Sequence, residues 1–287
     1  MKSSYKYFLK KENLLKVAIL SAISLFSLNL NSYSQETGDY LSNIVDSDGS
    51  LKRVTKSGVL RVGSDPNVGL PFIKREFFGF SYSGFEVEVS KHIAAELGCD
   101  VKIIPTNWEN LLFGLENKKY DIVISTIEKP EDNKELFKNI GFSSSYYTNS
   151  QHIVVNKDNE EIKFVNNLKG KKVGVLNDSA SKIMIAEINK MKRAGITLIM
   201  YTNTKDLFNS LQKKLLSAIV VDTPIATWNC QDEKNNCKLS GLPIFPKNYV
   251  VAIRKEDRAL LNGIDTILKE SKRNNSISKI LEKWNLD

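Results

Sequence analysis

Metal-binding side chains are scarce in this chain. It has two histidines, His92 and His152, and three cysteines in 287 residues. The histidines lie far apart and no Cys-x-x-Cys occurs, so the ligand spacing of a structural metal site is missing. A membrane-spanning run is missing too. Val17–Leu30 is apolar but too short to cross a bilayer comfortably, which takes about 20 residues. Strong charge of one sign is the third absence. The formal net charge of +8 is concentrated at the N-terminus. Setting aside 1–34 leaves 36 basic residues (41 less five) and 32 acidic ones (33 less one), a net +4. These charges are scattered rather than striped, which does not suggest a nucleic-acid binder.

What the N-terminus does contain is the pattern of an export signal. Lys2, Lys6, Lys10, Lys11 and Lys16 precede the apolar run, and Ser32-Tyr33-Ser34 offers small residues before a cut at Gln35. An uncleaved membrane anchor is the alternative. No cysteine stands near the cut to carry a lipid, so the expectation is a free periplasmic protein. In that oxidising compartment Cys230 and Cys237 are candidates for a disulfide closing a small polar loop, the alternative being two free surface thiols. Cys99 follows a helix-ending Gly98 and reads as a buried small residue.

The stretch from Tyr120 to Tyr147 organises the rest. Asp121-Ile122-Val123-Ile124-Ser125 is a short β-branched strand ending in hydroxyl residues, followed by a turn at Pro130, a charged helical segment and Phe142-Ser-Ser-Ser-Tyr-Tyr147. Strands are expected at Gly58–Gly63, Val101–Pro105, Gln151–Val155, Ala218–Val221 and Asn248–Ile253. Helices are expected from Gly84 to Gly98 and near Leu51–Thr55, Trp108–Lys119, Lys205–Lys213 and Pro224–Cys230. Such alternation predicts an α/β fold, in which ligands bind beyond the carboxyl ends of the strands.

Several of these strings, in order, resemble the extracellular solute-binding proteins of the polar amino-acid type, family 3. They are Leu60-Arg-Val-Gly with Pro71-Phe72, Gly84-Phe-Glu-Val-Glu-Val, Trp108-Glu-Asn-Leu, Asp121-Ile-Val-Ile, Phe142-Ser with Tyr146-Tyr147, Leu168-Lys-Gly-Lys-Lys-Val-Gly-Val, and Arg254-Lys-Glu-Asp. The resemblance implies a two-lobe periplasmic-binding-protein fold of type II, with the lobes joined by two crossing strands. Its expected parts are a signal peptide (1–34), a lead-in (35–57), lobe 1 (58–153 and 248–287) and lobe 2 (154–247). It also implies a monomeric receptor that delivers a small polar solute to an inner-membrane ABC permease, with no cofactor and no chemistry of its own.

The resemblance places the ligand against specific positions. Asp65 and Phe72 follow the first strand, with an Asx turn before Pro66 and a core position as the alternatives. Trp108 is placed to stack on the solute, or else to cover the core. Ser125, Thr126 and Glu128 end the organising strand. Glu128 stands where a hydroxyl is usual and favours a cation, unless it pairs with Lys129 or Lys134. The family's carboxylate-clamping arginine is replaced by Asn133, or by Asp132 if the Pro-Glu pair is aligned. Asp178 and Ser179 occupy a strand-to-helix turn that offers backbone amides, with a mere N-cap role for either as the alternative. Asp222 keeps the family's ammonium-accepting carboxylate, with capping of the following helix as the alternative. The ammonium side is thus retained and the carboxylate side eroded, which favours an amine or cationic solute.

Two other readings use the same fold. One is an enzyme like the cyclohexadienyl dehydratases, with Glu128 or Asp222 as general acid. The other is an interaction partner of a periplasmic quinoprotein alcohol dehydrogenase, with the Phe77-Phe78-Gly79-Phe80 insertion as its contact patch.

Overall fold

A computed structural model describes residues 39–76, 81–130, 137–177 and 179–286. The expected signal peptide, the Phe77–Phe80 insertion, Asn133 with the charged helical segment around it, and Asp178 lie outside the described residues.

Helix α1 (Ser50–Ser57) runs between Gly49 and Gly58, both at positive φ. It feeds β1 (Val59–Ser64). A two-stranded ribbon, β2 (Lys74–Arg75) and β3 (Tyr82–Ser83), precedes α2 (Phe85–Glu96), which leads to β4 (Asp100–Pro105). After a 3-10 turn at Trp108–Asn110 come α3 (Leu111–Glu116) and the short β5 (Ile122–Val123). The long β6 (Ile140–Asn156) carries the chain into β7 (Lys172–Leu176), α4 (Ala180–Lys192), β8 (Thr197–Tyr201), α5 (Thr204–Gln212), β9 (Ala218–Asp222) and α6 (Thr223–Cys230). A second long strand, β10 (Cys237–Arg254), returns it to α7 (Arg258–Arg273) and α8 (Ser276–Lys283).

The eight main strands are ordered β4-β1-β5-β10-β6-β9-β7-β8. β1 lies parallel between β4 and β5, and β7 lies parallel between β8 and β9. The antiparallel pair β6–β10 joins these two halves and gives the two lobes their connection. A 17-residue strand at about 3.3 Å per residue reaches roughly 55 Å, enough to belong to both lobes.

Both crossing strands are longer than the sequence reading, which gave 151–155 and 248–253. Their inter-lobe stretches are polar or broken by proline, so they carry no apolar signature. Pro243 and Pro246 sit where the register shifts between Ser240 and Ile244 and between Ile244 and Lys247, the bulged positions at which proline is tolerated. The Trp108–Lys119 helix is likewise shorter than expected, its first turn being 3-10.

The core of lobe 1 packs Leu60, Val62, Phe85, Val89 and Ile93 against Leu260, Ile264 and Leu268 of α7. Under the other face of its sheet lie Leu111, Leu115, Tyr120 and Val123. Lobe 2 buries Val173, Val175, Ile185, Ile188, Ala218 and Val220. The Arg254-Lys-Glu-Asp257 string marks a buried ion pair. Arg254 Nη2 lies 2.5 Å from Asp257, and its Nη1 donates to the carbonyls of Leu115 and Tyr120.

Two further features fix α6 in place. Trp228 of α6 packs on Trp284, with ring centroids 5.7 Å apart, and Leu286 is buried. Cys230 and Cys237 are joined by a disulfide, with Cα atoms 5.3 Å apart. A loop of this length is expected to contribute about 2.5 kcal/mol on the loop-entropy account. Reduction should therefore lower the melting temperature by about 5–10 °C. A melting curve unmoved by a reductant, with thiol titration verifying cleavage, would contradict this.

Candidate functional site

The strand ends of lobe 1 are stapled together by Asp65. Its amide donates to Ser125 Oγ at 3.1 Å, and its carboxylate accepts from the amides of Asn67 (2.9 Å) and Trp108 (3.0 Å). The side chain is 7% exposed. Asp65 thus caps its turn and fixes the loops after β1, β4 and β5 in place. Trp108 donates from Nε1 to the Ser125 carbonyl at 3.3 Å and leaves 51% of its surface exposed, an anchored ring with a free face. Ser125 is buried beneath it.

Phe72 takes the core position. It is fully buried, its ring 5.3 Å from Phe85 and 6.1 Å from Tyr249 by centroids, in an aromatic cluster that includes Tyr146 and Tyr147. Gly84 makes this packing possible: at φ +130°, an added Cβ would lie 2.1 Å from the Phe72 carbonyl oxygen. That close approach sets the start of α2 against residue 72 and sends Glu86 inward.

Glu86 is the residue that reading the sequence missed. It is 1% exposed, and its Oε1 accepts from the Thr126 amide at 2.7 Å and from the Tyr146 hydroxyl. Thr126 itself is half-buried at φ +50°, a left-handed conformation in which the amide of a strand-ending residue turns onto that carboxylate. Glu86 Oε2 has no hydrogen-bond partner among the described residues. Burial above all, with Asp222 adding to it, pushes the Glu86 carboxyl up to about 7. Glu128, half-buried, is bridged to Tyr249 through the backbone.

From lobe 2 the main contributor is Asp222, at the end of β9. Its side chain makes no capping bond to α6. Instead it accepts from Asn149 Nδ2 at 2.8 Å, from Gln151 Nε2 and from the Tyr249 hydroxyl. Burial raises its carboxyl above the ordinary range despite these donors. Ser181 Oγ, one residue into α4, donates to Gln151 Oε1 and so ties the second helix terminus to the same network. Ser179 caps α4, its Oγ accepting from the Lys182 amide at 3.2 Å. Lys182 Nζ reaches back to Asn177 Oδ1 at 3.2 Å, which puts a cation beside that helix N-terminus. Alternation along β6 separates the two faces of the crossing. Asn149 and Gln151 meet Asp222, while Thr148 and Ser150 line a cavity of about 260 Å³ with Thr223, Pro243, Asn285 and, from the Asn149 side of the strand, Tyr147.

Two groups of expected site residues therefore assemble. Asp65, Trp108 and Ser125 form one bonded cluster in lobe 1. Thr126 and Asp222 belong to a second cluster, through Glu86, Tyr146, Tyr249, Asn149 and Gln151. Tyr249 feels the whole of it: burial first, then Asp222, Glu128 and Glu86, hold its hydroxyl well above the usual phenol range. Asn149 and Gln151 were legible only as a polar i, i+2 pair within a strand, and Lys182 as one lysine among many.

A sheet of this order, split by two crossing strands with polar groups gathered at the strand ends between the halves, defines a two-lobe receptor for a small solute. Residues 60–287 match the profile of the bacterial extracellular solute-binding proteins, family 3, and the chain belongs to that family. It is 28% identical over 238 residues to the L-cystine-binding protein TcyJ of Escherichia coli strain K12, covering 83% of this chain and 86% of that protein. Among solved structures it is similar to an ancestral arginine-binding protein bound to arginine, with TM-score 0.66, 32% identity, and coverage of 79% of this chain and 98% of that one. It is also similar to the ancestral amino acid-binding protein AncCDT-1, described as a precursor of cyclohexadienyl dehydratase, with TM-score 0.68, 30% identity, and coverage of 82% and 99%.

Proposed function

We propose that this chain is the periplasmic receptor of an ABC importer and that it closes on a small amine-bearing solute, an amino acid or a cationic amino compound. The observation that carries this reading is Asp222. Among the described residues its hydrogen-bond partners are Asn149, Gln151 and Tyr249, all neutral. A carboxylate oriented by neutral donors at a strand end is completed by an ammonium group. The amides at the start of α4, with Ser179 and Lys182, are the natural place for a carboxylate if the solute carries one. The exposed face of Trp108 offers stacking for its apolar or cationic part.

Relatives support this class of ligand: solved neighbours include arginine- and glutamine-bound ancestral proteins, and an ABC transporter glutamine-binding protein of Bacillus subtilis is among the similar chains. The export pattern of 1–34 supports a periplasmic location after cleavage near Ser34, the family being extracellular. The receptor acts as a monomer with an inner-membrane permease and performs no chemistry.

The test is a thermal-shift screen of residues 35–287 against amino acids, polyamines, guanidino compounds and small anions. Solute at ~100 times Kd stabilises by about 2.7 kcal/mol, a readily seen rise. An amine that raises the melting temperature is the expected result. Silence toward every amine, or turnover of prephenate or arogenate by the same sample, would overturn the reading.

A further inference from the structure

Resting on that reading and deepening it, we propose that Glu86 is a second acidic group of the cleft, one that exchanges a proton for a cationic solute and so makes the receptor select positively charged side chains. Three observations carry this. Glu86 is buried with one oxygen satisfied by Thr126 and Tyr146 and the other without a hydrogen-bond partner among the described residues. Asn149, which donates to Asp222, also leaves its Oδ1 without one. Both unfilled groups are acceptors; Asn149 is bonded to Asp222, and Tyr146, which donates to Glu86, packs on Tyr249 with ring centroids 6.4 Å apart.

The groups that act on Glu86 are the Tyr146 hydroxyl, the Thr126 amide and the Asp222 carboxylate; none of them is a cation. Glu128 acts on the same network through Tyr249. With Asp222 ionised, a second buried anion is unfavourable, and the empty cleft keeps a proton on Glu86. A guanidinium or ammonium on the solute's side chain, brought against Glu86 while Asp222 holds the α-ammonium, offsets the repulsion. Glu86 then ionises and gives its proton to solvent. A solute with a neutral side chain leaves that proton in place.

Calorimetry reads this directly. L-arginine, L-lysine and L-glutamine would be titrated into residues 35–287 from pH 5.5 to 8.5, in buffers of different ionisation enthalpy. For a cationic solute the expected result is release of close to one proton near pH 6. Its affinity should rise up to about tenfold per pH unit below about pH 7 and level off above. L-glutamine should show neither effect. Glu86→Gln keeps an acceptor for Thr126 and Tyr146 but cannot ionise. It should flatten the pH dependence and reduce the preference for arginine over glutamine, whereas Glu86→Asp should keep the slope.

Three outcomes overturn the inference: the wild type takes only neutral solutes, cations bind without proton release, or Glu86→Gln retains the slope with an unchanged melting curve. If the wild type binds none of the amines at all, the receptor reading itself has failed, and the inference falls with it.

Discussion

Asp222→Asn lowers affinity for the amine-bearing solute by about thirtyfold or more at pH 7.5. The amide keeps the shape of the carboxylate and removes its charge, so a bound ammonium would meet a neutral partner. Breaking such a hydrogen-bonded charge pair typically costs about 2–5 kcal/mol, or roughly 30-fold to several thousandfold in Kd. The fold does not suffer with it. Burial raises the Asp222 carboxyl above its unfolded value. With the folded pKa raised, the folded state holds the proton more tightly, and stability falls as pH climbs from the unfolded toward the folded pKa. A neutral side chain is spared that loss, so the variant should melt at or above the wild-type temperature at pH 8. Calorimetric titration with whichever amine the thermal screen identifies decides the matter. A Kd within threefold of wild type would mean that Asp222 supports the hinge without touching the solute.

Arg254→Met is expected to have the largest effect on stability. Arg254 is 4% exposed; its Nη2 reaches Asp257 at 2.5 Å and Asp121 at 3.9 Å, while Nη1 satisfies two buried carbonyls. Arg53 and Arg61 also contact these aspartates but are themselves partly exposed. Methionine fills much of the volume and leaves Asp257 and Asp121 as buried anions with only those outer partners. Removal of one member of a buried pair costs about 3–5 kcal/mol, equivalent to a fall in melting temperature of roughly 6–20 °C. Urea unfolding measures it. A loss below 1 kcal/mol would show that Arg53 and Arg61 suffice. Pairing the change with Asp257→Asn should recover part of the loss, because it removes one of the stranded charges.

Much of this arrangement is written locally. β1, β9 and α6 follow from short apolar runs and from Thr-Pro at a helix start, and the family strings place Asp222 at the end of β9. Other features depend on partners distant in the chain. Glu86 looks like one more acid in an amphipathic helix; only its position under Thr126 and Tyr146 buries it. Asp65 and Phe72 stand where ligand-facing residues are expected, yet Asp65 is saturated by backbone amides from two loops and Phe72 is enclosed by Phe85 and Tyr249. No periodicity reveals that, because the neighbours come from residues 85, 108, 125 and 249. The polar centres of β6 and β10 escaped for the opposite reason: a strand that bridges two lobes needs no apolar face along its middle.

The order in which the strands are joined also governs how the chain comes together. β7, α4, β8, α5, β9 and α6 form one uninterrupted stretch. β5 of the other lobe finds its antiparallel neighbour only at Ala252 and Ile253, about 130 residues later, an entropic closure cost on the order of 4 kcal/mol. Prior collapse of the inserted lobe removes most of that separation, since its two ends, 156 and 237, are already paired. The N-terminal half of the sheet is therefore topologically the late half. The apolar sides of α1, α2 and β6 that α7 covers stay exposed until α7 arrives, and throughout that interval this surface favours aggregation.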